Sequence, residues 1–319
     1  MVGLSALSYA FPRRSATLEE LAAQGQLASS PALLRRFGFE HSRVAEEESA
    51  YDLGLAAARS LLQRERIDPE SIELLVHGGC APGAFAAPRN AAEAGAAALA
   101  SSDRFKYPGT RMQSELGLSR ASVLGLSQLA CTSLFGAVRV ARALCEAEGL
   151  QRALCVTSEL VPVEAGREAL WNCTSDAGCA VLVESGAARR RIVAQAQVTK
   201  GFYWDCEAGR DELVASYFPT ARHVIEETLE RAGWRPEDVD WVIPHNVSLR
   251  SWQILLGLLR LPRARLYTKN LARDGHTLAG DNFINLADAC AEGAVRDGER
   301  LLLFSYGYGA HWTALAVEA

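Results

Sequence analysis

The chain has 319 residues, of which 49% are hydrophobic and 22% are charged, and its net charge is −5. This length exceeds the usual size of one domain, so we expect two domains or one large pseudo-symmetric unit around an extensive core. The acidic balance and the lack of a long basic tract argue against a nucleic-acid partner, and no apolar stretch is long enough to cross a membrane. No basic region precedes the first apolar run, so we expect no secretory signal and a cytoplasmic location.

Apolar runs with strand character alternate with helical patterns through the first half of the chain. The predicted strands are 2–11, 72–80, 121–127 and 152–161, and the predicted helices are 51–67 and 131–147. An Ala-rich stretch at 89–102 fits either a helix or a loose insertion. This βαβαβ order is typical of a mostly parallel, layered sheet.

The second half of the chain repeats this order. The runs 178–185 and 191–200 predict two strands paired around a turn, followed by a helix at 212–234, a strand at 239–246, helices at 247–259 and 285–298, and a hairpin at 300–318. In each half a helix end is followed by Pro-Glu, a short spacer and a buried strand, in RIDPESIELLVHGGC and GWRPEDVDWVIPHNV. The repeat suggests duplicated halves, which we place at 1–165 and 166–319.

The eight cysteines include no CxxC pair and no Cys/His spacing typical of zinc, so we expect reduced thiols and no metal. Cys131 stands out because it lies between a predicted strand and a predicted helix. At a helix start, the helix dipole and free N–H groups stabilise a thiolate. The residues alone leave two readings open, a nucleophile or a small buried hydrophobe.

Three other positions combine polar side chains with element ends. His245 ends a predicted strand, where ligands bind in layered α/β sheets, or it caps the next helix. Asp281 or Asn282 either caps a predicted helix or faces a catalytic centre. The bend SYGYGAHW at 305–312 is either a plain hairpin turn or a set of N–H groups aimed at an oxyanion.

Taken in this order, the four features resemble the thiolase-fold ketoacyl-ACP synthase III family. The likeness runs nearly end to end and is carried by RRFGFEHSRVA at 35–45, by IPHNVSLR at 243–250 and, most specifically, by the stretch 292–318. It implies a thiolase fold, with two pseudo-symmetric βαβαβ-type halves stacked in an α-β-α-β-α arrangement. It also implies a homodimer that uses thioesters of acyl carrier protein or CoA and needs no further cofactor.

The resemblance assigns the site residues. Cys131 corresponds to the nucleophile and His245 to the catalytic histidine, and counting back from AVRDG places the family's catalytic Asn on Asp281, with Asn282 as the rival. The N–H groups of Cys131 and Tyr308 correspond to the oxyanion hole. The other expected contacts with substrate or donor are Arg36, Tyr107, Asn246, Ser248, Asn282, Gly307 and Gly309.

The chain also departs from the family. Ala32 stands where many relatives have a tryptophan that stacks on CoA, which favours a carrier protein as donor. Tyr107 matches the residue that gates a partner subunit's acyl tunnel. A segment at about 83–106 that precedes it has no counterpart in the family.

An Asp in place of the catalytic Asn changes the predicted chemistry. A carboxylate at about 4 Å from a malonyl carboxylate, at an effective dielectric of about 20, would repel it by about 4 kcal/mol. The same carboxylate beside His245 would orient the imidazole to remove a proton from a hydroxyl or amine. The resemblance extends to a Cys-His-Asp subset that makes esters in secondary metabolism.

We therefore predict an acyltransferase of secondary metabolite or lipid biosynthesis. It would pass an acyl group through Cys131 to a small-molecule or carrier-bound acceptor. The alternatives are decarboxylative carbon–carbon condensation, if Asn282 faces Cys131, and a non-catalytic partner subunit.

Overall fold

A computed structural model describes residues 1–79, 106–162, 165–169, 172–186 and 188–319. The Ala-rich stretch 89–102, and all but residue 106 of the predicted insertion, lie outside these ranges. Within the described residues, none of the helices combines the length and the apolar character that a membrane crossing needs.

The predicted strands and helices occur in the predicted order, and several short strands and helices that the sequence did not predict lie between them. The strands are β1 (Val2–Ala10), β2 (Arg14–Thr17), β3 (His41–Val44), β4 (Leu74–Gly78), β5 (Ser122–Leu126), β6 (Arg152–Glu159), β7 (Glu168–Ala169), β8 (Asn172–Cys173), β9 (Ala177–Ser185), β10 (Arg190–Thr199), β11 (Trp241–Ile243), β12 (Arg300–Gly307) and β13 (His311–Glu318). The helices are α1 (Leu18–Ala23), α2 (Pro31–Arg36), α3 (Ala50–Arg64), α4 (Pro108–Glu115), α5 (Ser133–Glu148), α6 (Arg210–Ala232), α7 (Leu249–Leu259), α8 (Lys269–Asp274) and α9 (Asp281–Ala291).

The main sheet has nine strands in the order β11-β12-β13-β10-β1-β9-β6-β4-β5. From β1 outward, the pairs β1–β9 and β9–β6 are antiparallel and β6–β4 is parallel. From β10 outward, β10–β13 and β13–β12 are antiparallel and β12–β11 is parallel. The same order on both sides of β1–β10 gives the sheet its pseudo-symmetry, although the division at residue 165 stays a prediction.

The predicted pairing of the 178–185 and 191–200 runs is wrong. Strand β1 lies between β9 and β10 and pairs antiparallel with both. The two half-sheets approach closely at this junction, since a Cβ on Gly3 would lie 2.2 Å from the carbonyl oxygen of Arg190. Adjacent apolar runs predict strands, but they do not show whether a third strand inserts between them.

Two central helices, α5 and α9, separate the half-sheets. One apolar cluster joins both helices to inward-facing residues of β4, β6 and β9 on one side and of β11, β12 and β13 on the other. Helices α3 and α4 cover the outer face of the first half-sheet, and α6 and α7 cover that of the second. These layers form the predicted α-β-α-β-α arrangement and confirm the thiolase fold.

Helix α9 begins and ends earlier than predicted, at Asp281 and Ala291 instead of 285 and 298. Its first residues, Asp281 and Asn282, are buried, so this helix start is inside the protein. The start of α5 is also buried, and the short 3-10 helix Ala130–Thr132 leads into it. Both central helices therefore begin next to buried polar side chains.

Replacing Phe283 by alanine is expected to lower the free energy of unfolding by about 3–5 kcal/mol, because the cavity would lie in the central layer. Phe283 is fully buried, and its ring centroid lies 5.1 Å from that of Phe135 on α5. Denaturant unfolding measures the loss. Phe202→Ala, at a side chain that is 80% exposed, is the control and should change little. Equal stability of both variants would contradict this packing.

Candidate active site

Cys131 lies in the 3-10 helix Ala130–Thr132 that leads into α5, and the residue is 8% exposed. The backbone before it is constrained, with positive φ angles of 67° at Gln128 and 45° at Ala130. Such conformations cost about 1–3 kcal/mol each and concentrate at functional sites. The carbonyl of Cys131 accepts a hydrogen bond of 3.2 Å from Ser305 Oγ on β12, which ties this helix to the second half of the chain.

A line of hydrogen bonds runs from Cys131 through a histidine to a carboxylate. Cys131 Sγ is 3.5 Å from His276 Nε2, and His276 Nδ1 is 2.6 Å from Asp281 Oδ2. All three residues are buried. A thiol, an imidazole and a carboxylate in this order can move a proton from sulfur to nitrogen while the acid fixes the tautomer of the ring.

The Asp281 carboxylate is held from several sides. Besides His276, it accepts hydrogen bonds from the backbone N–H of Asn246 at 2.6 Å and from the N–H and hydroxyl of Thr277 at 2.6 and 2.7 Å. Burial would raise the pKa of Asp281, but the charge of His276 and the hydrogen bonds from His276 and Thr277 hold this pKa below its usual value. Asp281 therefore remains a carboxylate.

His245 is the second imidazole of the site. Its ring centroid is 4.6 Å from that of His276, and its Nε2 is 3.7 Å from Asp281 Oδ2, beyond a hydrogen bond. Burial, and next the charge of His276, lower the pKa of His245 to about 3, although Asp281 opposes the shift. His245 is therefore neutral. The N–H of Tyr306 points at its Nδ1 from 3.4 Å, which assigns the ring proton to Nε2, and this nitrogen has no hydrogen-bond partner among the described residues.

The structure differs from the sequence prediction in the partner of the carboxylate. Asp281 was expected to orient His245, but it bonds His276, and His276 was not among the predicted site residues. The family's Gly-Asn turn was counted onto Gly280–Asp281, whereas the side chain at the sulfur belongs to the Gly275–His276 pair. Each glycine precedes a polar residue, and spacing alone could not show which pair faces the thiol. Reading the turn onto Gly275–His276 would have found this residue.

Asn282 does not compete for the sulfur. Its amide donates to the carbonyls of Ile243 and Phe304 at 2.8 and 2.9 Å, which ties α9 to β11 and β12. Asn246 is also held by the scaffold, because its amide nitrogen donates to Gly275 and its oxygen accepts from Asn285. These side chains fix the loops that carry the two histidines.

The remaining predicted contact residues lie at the ends of three helices. Ser248 is buried and caps α7 through a bond from Arg250 N, Arg36 is exposed at the end of α2, and Tyr107 is 55% exposed just before α4. The carbonyl of Phe37 accepts the N–H of Leu249, so the end of α2 adjoins the start of α7.

The bend between β12 and β13 lies against the Cys131 loop. A Cβ on Gly307 would be 2.5 Å from the carbonyl oxygen of Leu129, so only glycine fits this approach. Gly309 has a φ of +92°, and its N–H donates to Cys206 Sγ at 3.1 Å. Between them, Tyr308 is 39% exposed.

Cys131, His245 and His276 offer ligand atoms that lie within 4.8 Å of one another, which is a donor set that could hold a metal ion. The set is invisible in the sequence, because its members are far apart along the chain. The N–H of Tyr306 at Nδ1 leaves the proton of neutral His245 on Nε2, and a protonated nitrogen cannot bind a metal. The expectation of no metal stays a prediction.

Comparisons with known proteins point to one family. Residues 229–319 match the family model described as 3-oxoacyl-[acyl-carrier-protein (ACP)] synthase III C terminal. The chain is 28% identical over 346 residues to the beta-ketoacyl-[acyl-carrier-protein] synthase III of Symbiobacterium thermophilum, covering 99% of this chain and 98% of the relative.

Solved structures share the fold over the whole chain. The 3-oxoacyl-[acyl-carrier-protein] synthase III of Aquifex aeolicus superposes with a TM-score of 0.83 at 21% identity, covering 100% of both chains. ChlB3, which is described as an acyltransferase, superposes with a TM-score of 0.84 at 20% identity, covering 100% of this chain and 97% of ChlB3.

Proposed function

The chain belongs to the thiolase-fold, ketoacyl-ACP synthase III-like family, and on that premise we propose that it is an acyltransferase acting on hydroxyl or amine acceptors. One observation carries the proposal, the line Cys131–His276–Asp281 with distances of 3.5 and 2.6 Å. A histidine backed by a buried carboxylate is suited to accept protons.

The first half-reaction loads the acyl group. His276 Nε2 takes the thiol proton, and the Cys131 sulfur attacks the carbonyl carbon of a donor thioester. The N–H groups of Cys131 and Tyr308 would hold the oxyanion. The C–S bond to the donor then breaks, the leaving thiolate recovers the proton from His276, and an acyl-Cys131 thioester remains.

The second half-reaction transfers the acyl group. His276 removes the proton of an acceptor hydroxyl or amine as its oxygen or nitrogen attacks the acyl carbon. The bond to sulfur breaks, and the Cys131 thiolate regains its proton from His276. Neutral His245 would donate its Nε2 proton in a hydrogen bond to the reacting oxygen, because that nitrogen has no other hydrogen-bond partner among the described side chains.

Condensation is the competing activity, because relatives carry the name beta-ketoacyl-[acyl-carrier-protein] synthase III. In the family that the chain resembles, the side chain beside the sulfur is an asparagine. An asparagine donates hydrogen bonds but does not take up a proton near neutral pH. Here it is His276, and Asp281 lies on the far side of the His276 ring from the sulfur. The geometry therefore changes the expected effect of the Asp281 charge. It would raise the basicity of His276 and would not directly repel a malonyl carboxylate.

We propose acyl carrier protein or acyl-CoA as donor, with Ala32 favouring the carrier protein, and no further cofactor. We also propose a homodimer. Among the strands that the structure describes, β5 lies at one edge of the sheet and is largely exposed, with Leu124 at 39% exposure. Such an edge readily pairs with another strand.

Intact-protein mass spectrometry tests the function with acyl thioesters on CoA and on carrier protein. The wild type should gain the acyl mass and Cys131→Ala should not, whereas Cys145→Ala, a buried thiol further along α5, should load normally. A chase with alcohols and amines should then release esters or amides.

Each contrary result has one meaning. If malonyl thioester alone discharges the acyl-enzyme, with loss of carbon dioxide, the protein is a condensing enzyme. If Cys131 takes up no acyl group from any donor, the chain is a non-catalytic subunit and the proposal fails.

A further inference from the structure

The backbone of His276 is held by an isolated β-bridge with Thr174. The His276 N–H donates to the carbonyl of Cys173 at 2.7 Å, and the His276 carbonyl accepts the N–H of Ser175 at 2.8 Å. Gly275 precedes it with a φ of +66°, and a Cβ at this position would lie 2.7 Å from the carbonyl oxygen of Cys173. The position of the imidazole therefore depends on how the residues just before it are held.

Asp274, two residues before His276, is a fully buried residue whose carboxylate binds two arginines. Arg43 on β3 donates to its Oδ1 from Nε at 3.0 Å and from a terminal guanidinium nitrogen at 2.7 Å. Arg273 donates to its Oδ2 at 2.8 and 2.6 Å. A buried charge is costly when it loses its partners, so both guanidinium groups constrain where Asp274 can lie.

The two arginines belong to different parts of the chain. Arg273 lies on α8, the same helix as Asp274, whereas Arg43 lies on β3 in the first half of the chain, which also supplies Cys131. The backbone of Arg43 reaches the same segment, because its N–H donates to Ser175 Oγ at 2.9 Å and this hydroxyl donates to the carbonyl of Asp274 at 2.5 Å. Of the two, Arg43 is thus the one that ties the segment before the catalytic imidazole to the half of the chain that carries the sulfur.

We propose that Arg43 is a positioning residue for proton transfer at Cys131, because its bonds to Asp274 set the distance between His276 Nε2 and the sulfur. This inference rests on the role of His276 as the base in the proposed function. The contact between sulfur and Nε2 is 3.5 Å long, so an outward shift of the segment 274–276 would break it. A misplacement of about 1 Å can slow a reaction about 10²-fold. Arg43 would act through Asp274 and not by contact with the reacting atoms.

The test uses iodoacetamide as the probe, because its reaction with Cys131 needs the loss of the thiol proton but no acyl donor. Peptide mass spectrometry follows alkylation of Cys131 in the wild type, Arg43→Met, His276→Asn and the double variant. Arg43→Met should slow alkylation about tenfold, the effect of a partly misplaced base. In the His276→Asn background the same change should have no further effect, because two residues that act through one group are not additive.

Arg14→Met serves as the matched control. Arg14 lies on β2, which pairs with β3, and its guanidinium binds the carboxylate of Glu46 at the surface, so this variant should be alkylated at the wild-type rate. Arg43→Met should fold, because Arg273 still binds Asp274. If it does not, Arg43→Lys repeats the cycle, since lysine keeps the charge but loses the paired N–H groups of the guanidinium.

The cycle separates positioning from a merely structural role. An equal slowing by Arg43→Met in both backgrounds, or alkylation of Arg43→Met at the wild-type rate, would overturn the inference. Wild-type alkylation of His276→Asn would overturn it together with the base assigned in the proposed function. If the cycle is not additive but no thioester acylates Cys131, the proposed acyl transfer fails and the role of Arg43 stands.

Discussion

Replacing His276 by asparagine is expected to slow both the loading of Cys131 and the discharge of the acyl-enzyme by about 10²–10⁴-fold, the usual contribution of a positioned base. Asparagine can keep a hydrogen bond toward the sulfur, but it cannot take the thiol proton that His276 Nε2 receives across 3.5 Å. Single-turnover mass spectrometry measures the two steps separately. The loss should appear in both of them, because His276 serves both half-reactions.

The control is His223→Asn on α6, whose side chain is 68% exposed and should leave both rates unchanged. Wild-type rates in His276→Asn would show that the base is elsewhere, with His245 the remaining candidate. The same variant probes the competing chemistry, because it restores an asparagine beside the sulfur. Release of carbon dioxide from malonyl thioester should rise in it relative to acyl transfer.

Replacing Asp281 by asparagine is expected to lower kcat by about 10²–10⁴-fold, because a neutral amide can stabilise the wrong tautomer of His276 and no longer supports its positive charge. Asp281 is a positioning residue, since it acts through the 2.6 Å bond to His276 Nδ1. The KM for the donor should therefore change little while kcat falls. A merely structural role would instead lower the fraction of folded protein and leave the kcat of the remainder intact.

Asp288→Asn is the control, because this carboxylate lies on the same helix and bonds Tyr9, Asn270 and Arg273 outside the site. Thermal unfolding of both variants separates stability from activity. Retention of the wild-type kcat in Asp281→Asn would contradict a role for this carboxylate in proton transfer.

The fold could be predicted from the sequence because it depends on repeated local patterns. Each Pro-Glu segment forms a 3-10 helix, Pro69–Ser71 and Pro236–Asp238, and each leads into a buried strand, β4 or β11. The predicted pairing of β9 with β10 was wrong because strand pairing depends on long-range contacts. The N-terminal strand β1 lies between these two strands.

The site could be predicted only where local sequence patterns mark its residues. Cys131 and His245 lie at strand and helix ends, and such ends are visible as changes of hydrophobic period. His276 forms an isolated β-bridge with Thr174, directly after Gly275, whose φ is +66°, and no periodic pattern marks it. Its importance comes from contact with Cys131 and Asp281, which depends on how α5 and α9 pack in three dimensions.

The duplicated sheet has a consequence for how reactivity arises during folding. The sulfur is supplied by one repeat and both imidazoles by the other, and β13 lies inside the sheet between β10 and β12. During synthesis, the thiol is made long before its proton acceptor. We therefore expect the Cys131 thiol of the emerging polypeptide to react as an ordinary thiol until the second half of the chain packs on the first. Its nucleophilicity should increase only then, in one cooperative step.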